Sequence, residues 1–260
     1  MSRIAGAFRK GRPALVGYLT VGYPSPDMTV DAAVTLAEAG CDILELGIPF
    51  SDPLADGTTI QKASQAALDG GTTPRQCLEV ALRVRQKTDI PLLFMSYYNP
   101  VLALGVEGFC ASSKQAGVDG FLIVDLPPEE GGDLEAESKV HGLDMVYLLA
   151  PTSTPERVKM VARHSGGFIY LVSLTGVTGA RSKLPPELDQ FVARVRPATT
   201  LPLAVGFGIS TPEQAARVAR IADGVVVGSR LVQLLDEPQP VEKLKAFARD
   251  LRKALDSVNK

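Results

Sequence analysis

The sequence predicts an α/β chain folded as a single closed (β/α)8 TIM barrel over residues 1–260, with extra short helices near its second and eighth strands. Three observations lead there. Eight short strand-like runs alternate with amphipathic helical segments along the whole length. Most of the runs are almost continuously apolar, as strands covered on both faces must be. No linker or compositional break divides the series, which favours closure over an open sheet.

The runs are 14–20, 43–46, 91–96, 120–124, 145–149, 168–172, 202–205 and 224–227. Each parallel strand needs a crossover, and the segments between the runs are long enough to hold helices. Helix starts are marked at Ser25-Pro26, Thr73-Pro74, Thr154-Pro155 and Thr211-Pro212. Each pairs an N-cap hydroxyl with a proline at the first helical position. Thr73 with Gln76, and Thr211 with Gln214, have capping-box spacing. Stops fall at Gly40, Gly70-Gly71, Gly117, Gly142 and Gly166-Gly167, where glycine accepts the left-handed cap. The phrases EAGCD (38–42) and QAGVDG (115–120) echo each other as helix-to-strand junctions without forming a strict repeat. An open doubly wound sheet is the runner-up. It usually carries a phosphate fingerprint after its first strand, and GYLTVGYPSP (17–26) has none.

Composition narrows the function classes. A net charge of -2, with scattered Lys and Arg, gives no electrostatic reason to expect nucleic acid or an anionic membrane as partner. No apolar run approaches the ~20 residues of a membrane span, and MSRIAGAFRK (1–10) lacks the features of a secretory signal. Cys41, Cys77 and Cys110 are odd in number and widely spaced, which suits a reducing cytoplasm and argues against a disulfide frame or a zinc site. The two histidines, His141 and His164, sit at predicted helix ends, where a solvated imidazole is the ordinary reading. No metal site is expected.

A barrel of this kind places its chemistry at the C-terminal ends of the strands. Four segments there are informative. After the second strand comes ELGIPFSDPLADG (45–57): one carboxylate, Glu45, inside an apolar strand, then a proline-broken loop bearing Asp52 and Asp56. A charge in such a strand is costly to bury, so Glu45 and Asp56 form the candidate acid/base pair; a buried ion pair with two turn aspartates is the plainer alternative. After the sixth strand a long polar connection runs from Ser173 to Pro186, readable as a closing lid or as an ordinary surface loop. After the seventh and eighth come GFGIS (206–210) and VGS (227–229). Glycines there let a phosphate approach backbone N–H groups; turn glycines that merely connect are the alternative.

With these segments in hand, the chain closely resembles the tryptophan synthase α-subunit family. The resemblance rests on ELGIPFSDPLADG (45–57), SYYNP (96–100), FLIVDLPPEE (121–130), SLTGVTGAR (173–181), GFGIS (206–210) and VVVGS (225–229), in order along the chain. It implies a lyase that performs retro-aldol cleavage of indole-3-glycerol phosphate to indole and D-glyceraldehyde 3-phosphate in L-tryptophan biosynthesis. It also implies that Glu45 and Asp56 are the catalytic carboxylates, and that Gly179, Gly208, Gly228 and Ser229 hold the phosphate. Tyr170, Thr178 and Phe207 match positions around the indole or in the lid, while Tyr18, Met95 and Leu122 match the apolar indole pocket. Leu174 stands where some members have arginine.

The resemblance further implies no cofactor in this chain and a β-subunit partner carrying pyridoxal phosphate, in an α2β2 heterotetramer through which indole is channelled. By resemblance the docking side includes the Asp52–Leu54 loop, Tyr98-Asn99-Pro100 and Pro127-Pro128; plain loop punctuation is the other reading of those prolines. Rival functions are another phosphate-binding barrel, which would need a different acidic loop, and a stand-alone indole-releasing lyase, which shares these motifs. An assembly subunit with decayed chemistry is a third reading, and the intact Glu45 and Asp56 argue against it.

Overall fold

The structure, a computed structural model, describes residues 2–9, 11–173, 186–206 and 208–258. Among them are the strands β1 (Ala14–Thr20), β2 (Ile43–Gly47), β3 (Leu92–Ser96), β4 (Gly120–Ile123), β5 (Asp144–Val146), β6 (Leu148–Leu149), β7 (Ile169–Val172), β8 (Leu203–Gly206) and β9 (Gly224–Val227). All pair in parallel, in the order β5-β4-β3-β2-β1-β9-β8-β7-β6. The two ends of that order are halves of the single run expected over 145–149, which parts at Tyr147. One half pairs with β4 and the other with β7, and the Tyr147 carbonyl accepts the Tyr170 N–H at 3.0 Å. The sheet therefore closes into an eight-position barrel whose fifth position is split.

Side chains alternate across the wall with the two-residue period of a strand. Val16, Tyr18, Ile43, Leu93, Met95, Leu122, Val146, Tyr170, Ala204 and Val226 form the inner cluster. Their neighbours Leu15, Leu44, Leu46, Phe94, Phe121, Leu171, Val205 and Val225 face the helices. Apolar residues at both parities are thus explained: each strand serves two cores.

The helices are α1 (Arg3–Ala7), α2 (Pro26–Glu38), α3 (Thr58–Asp69), α4 (Pro74–Arg85), α5 (Tyr98–Leu104), α6 (Val106–Gln115), α7 (Gly132–Val140), α8 (Pro155–His164), α9 (Leu188–Val195), α10 (Pro212–Ala219), α11 (Ser229–Leu234) and α12 (Pro240–Asp256). The four Ser/Thr-Pro signals begin α2, α4, α8 and α10, each with its hydroxyl accepting a backbone N–H of the first turn. Gly40, closing α2, has φ of 108°, the left-handed conformation that a side chain resists. His141 and His164 do end helices, but His164 is not merely solvated: its Nδ1 lies 2.9 Å from Glu135.

Three departures from the sequence expectation matter. The extra helix after the second strand, α3, has 12 residues and is not short, whereas the one after the eighth barrel position, α11, is. A second pair, α5 and α6, follows β3, where Tyr98-Asn99-Pro100 had also been readable as loop punctuation. Pro100 falls in the first turn of α5, where its missing N–H has no helical acceptor to lose. Finally, α1 puts Ile4 and Ala7 into the inner cluster, with Phe8 packed against it, closing the barrel end remote from the strands' C-termini.

Candidate active site

Glu45 is the middle residue of β2 and lies in register with Tyr18 on β1 and Leu93 on β3. The alternation of the wall turns it inward, where it is 1% exposed. Its Oε1 has no hydrogen-bond partner among the described residues. Burial, reinforced by the charge of Asp56, pushes the carboxyl up to about 8.

Asp56 comes from the loop beyond the same strand. Its N–H donates to the Pro53 carbonyl at 3.0 Å, and its carbonyl accepts the Gln61 Nε2 at 2.9 Å, tying the loop to the first turn of α3. The turn buries Asp56 and leaves Asp52 outside, where its carboxylate accepts its neighbour's hydroxyl, Ser51 Oγ, at 2.5 Å and its carbonyl accepts the Leu54 N–H at 2.9 Å. Asp56 Oδ2 accepts a hydrogen bond from the Tyr97 hydroxyl at 3.2 Å, and Oδ1 has no partner among the described residues. Burial raises this carboxyl to about 6, with the Tyr97 hydrogen bond pulling the other way.

Both carboxylates line one cavity. Tyr18, Ile60, Met95, Tyr170 and Val226 give it apolar and aromatic walls. Gly208, Ile209 and Ser210, from the turn after β8, and Gly228 with Ser229 and Arg230, at the start of α11, line it as well. Two glycines make room for the tyrosines: a Cβ on Gly47 would lie 2.1 Å from the Tyr18 hydroxyl, and one on Gly206 would lie 2.0 Å from that of Tyr170. Tyr18 is further held by a 3.2 Å hydrogen bond to Thr20. An aromatic ring with an anionic tail suits such a space, because its wall offers apolar surface, proton-transfer groups and exposed backbone near glycines together.

Of the residues singled out from sequence, Glu45, Asp56, Tyr18, Met95, Tyr170, Gly208, Gly228 and Ser229 meet at this cavity. Leu122, 1% exposed, belongs to the same inner cluster but does not reach the cavity wall. Leu174, Thr178, Gly179 and Phe207 lie outside the described residues. Sequence reasoning gave no role to Ile60, Val226, Arg230 and Tyr97, and took Ile209 and Ser210 only as part of the glycine segment GFGIS. Val226 was findable from the inward parity of VVVGS, and Ile60 from its place one helical turn beyond Asp56. Nothing local told which of Tyr97 and Tyr98 turns inward. Among the described residues no cluster of His, Cys, Asp and Glu has the arrangement of a metal site.

Comparison with known proteins gives the family. The family model described as tryptophan synthase alpha chain matches residues 4–256. The chain belongs to the tryptophan synthase alpha chain family. A tryptophan synthase alpha chain of Dehalococcoides mccartyi is 54% identical over 256 residues, covering 98% of this chain and 100% of that protein. One from Geobacter sulfurreducens is 50% identical over 262 residues, covering 98% and 99%. Among solved structures, a chain of Mycobacterium tuberculosis tryptophan synthase superposes with a TM-score of 0.91 at 40% identity, over 98% of each chain. The Legionella pneumophila alpha subunit gives 0.92 at 36%, covering 99% of this chain and 100% of that one. Family membership carries the role of an alpha chain in tryptophan biosynthesis: lyase cleavage of indole-3-glycerol phosphate, with a beta subunit as partner.

Proposed function

We propose that Glu45 and Asp56 carry out the cleavage of indole-3-glycerol phosphate in this chain, and that the turns after β8 and β9 receive its phosphate. The supporting observation is that two buried carboxylates, each with an oxygen unpartnered among the described residues, line one cavity with apolar walls and two glycine turns. Glu45, held neutral by burial, donates its proton to indole C3. Positive charge then develops on the ring nitrogen, and Asp56 accepts a hydrogen bond from that N–H and balances the charge. Glu45, now a carboxylate, takes the proton of the glycerol hydroxyl next to the scissile bond. As the aldehyde forms, the C–C bond breaks and its electron pair returns to the indole ring, which regains aromaticity. The proton balance closes on Glu45, whose raised pKa suits both transfers near neutrality.

Tyr18, Met95, Tyr170 and Leu122 shape the indole end directly or by packing behind it, joined in this reading by Thr178 and Phe207. Gly208, Gly228 and Ser229, with Gly179, supply the phosphate contacts, and that remote grip contributes orientation. Residues 1–260 form one domain in this reading, supported by the single sheet that the described strands build. The β subunit, bearing pyridoxal phosphate, docks in an α2β2 assembly near Leu54, 89% exposed, and Leu102, 51% exposed, and receives indole by channelling. A cytoplasmic setting fits three buried cysteines left as free thiols.

The test is turnover of the two isosteric amides. Glu45→Gln is expected to lose cleavage by a factor of about 10³ or more while remaining folded. Asp56→Asn is expected to lose the chemical step with substrate affinity nearly intact. Near wild-type cleavage by Glu45→Gln would overturn the assignment, and an Asp56→Asn defect confined to KM would reduce Asp56 to a binding role.

A further inference from the structure

The buried loop aspartate is only as well placed as the loop that carries it, and one side chain outside that loop holds it twice. Tyr97 follows β3 and is the N-cap residue of α5. Its hydroxyl donates to Asp56 Oδ2 at 3.2 Å and accepts the N–H of Ala55, the preceding residue, at 2.9 Å. Its ring stacks on Phe50, at the other end of the same loop, with centroids 5.1 Å apart and planes at 29°. Tyr97 is itself 5% exposed, and the Ser96 hydroxyl donates to its carbonyl at 2.9 Å. One rigid side chain thus bridges the third strand to three points of the acidic loop. It leaves Asp56 Oδ1 as the free acceptor.

We infer that Tyr97 is a positioning residue for the cleavage reaction, fixing the Asp56 carboxylate and its loop so that the unpartnered oxygen faces the indole N–H. This rests on the role given to Asp56 above. The hydroxyl has two consequences that a purely structural residue lacks. Its donated hydrogen bond favours the ionised form of Asp56, the form that balances ring charge. By occupying Oδ2 it also selects which oxygen meets substrate. Tyr97 is not on the wall of the cavity, so it acts through Asp56 and not by contact with substrate.

The experiment uses the full chain with Tyr97→Phe, Asp56→Asn and the double variant, measuring indole-3-glycerol phosphate cleavage against pH, with single turnovers where rates are low. Tyr97→Phe keeps the ring stack and removes only the hydroxyl. Its kcat is expected to fall about 10–100-fold, the weight of a hydrogen bond to a charged group, with KM changed less than about twofold. The acid limb of kcat/KM is expected to move up by about one pH unit, because Asp56 loses the donor that favours its charge. The substrate phosphate titrates identically in both proteins, so the difference between profiles isolates the enzyme. In the double variant no further loss beyond Asp56→Asn is expected, since both changes act on one interaction.

An unmoved acid limb, or losses that multiply in the double variant, would overturn the inference. So would a kcat loss matched by a fallen melting temperature and a raised KM. Fully active Asp56→Asn would instead remove the reading of Asp56 on which it rests. If Tyr97→Phe does not fold, site-specific replacement of Tyr97 by 3-fluorotyrosine decides. That more acidic, near-isosteric phenol is expected to move the acid limb down, and an unmoved limb would again overturn the role.

Discussion

Among the described residues, Glu45 has one carboxylate oxygen without a donor, while Asp56 has a donor to one oxygen and none to the other. Burial raises both carboxyls, the Asp56 charge adding to it at Glu45 and the Tyr97 hydrogen bond opposing it at Asp56, which gives about 8 and about 6 and hence their working forms at neutrality. Cleavage needs Asp56 ionised and Glu45 protonated, so kcat/KM is expected to rise through pH about 6 and fall through about 8. A rate profile over that range checks it, and Asp56→Asn should flatten the acid limb. Stability follows the same proton. In the unfolded chain Glu45 ionises near its ordinary 4.5, but in the fold only near 8. Across that window the unfolded chain releases a proton that the fold retains, so stability falls as pH rises. Glu45→Gln abolishes this term. It is expected to stabilise the chain by roughly 0.5–2 kcal/mol at pH 8 and hardly at all at pH 4, read from urea unfolding at both.

Elements obey local chemistry wherever their ends can be satisfied by their own residues. At α4 the Thr73 hydroxyl accepts the Gln76 N–H at 3.3 Å, and Gln76 Oε1 accepts the Thr73 N–H at 2.9 Å. The motif is exposed and remote from the cavity. Thr73→Ala is therefore expected to cost about 1 kcal/mol in denaturant unfolding and to leave cleavage unchanged. Such caps were legible because donor and acceptor lie three residues apart. Helices α1 and α5 were not. The pattern Ile4, Ala7, Phe8 covers barely one turn, too short to be helical without a surface to cover, and α5 begins over a proline that by itself reads as a turn.

The whole barrel is tied by contacts that no local pattern announces. Arg252 on α12 donates from Nη1 to Asp42 at 2.9 Å and from Nη2 to the Pro13 carbonyl at 3.0 Å, 7% exposed. Asp42, just before β2, also accepts the Leu15 N–H at 3.0 Å and an Arg12 guanidinium N–H at 3.1 Å. The last helix is thereby fastened to the start of the first two strands. Removing one partner strands a buried charge, so Arg252→Ala is expected to cost about 3 kcal/mol, measured by urea unfolding.

The barrel itself was set by sequence: apolar residues at both parities, hydroxyl-proline starts and glycine stops are properties of neighbours along the chain. So was the presence of Glu45 on a strand, because a carboxylate in an apolar run stands out wherever the run folds. Tertiary structure decided the rest. It turned Asp56 inward and Asp52 outward, chose Tyr97 over Tyr98, split the fifth strand at Tyr147 and set Leu122 behind the cavity instead of on its wall. Each of those choices depends on what another part of the chain presents across the barrel. Packing and burial are settled there by closure in space, and no short window of sequence contains both sides of the contact.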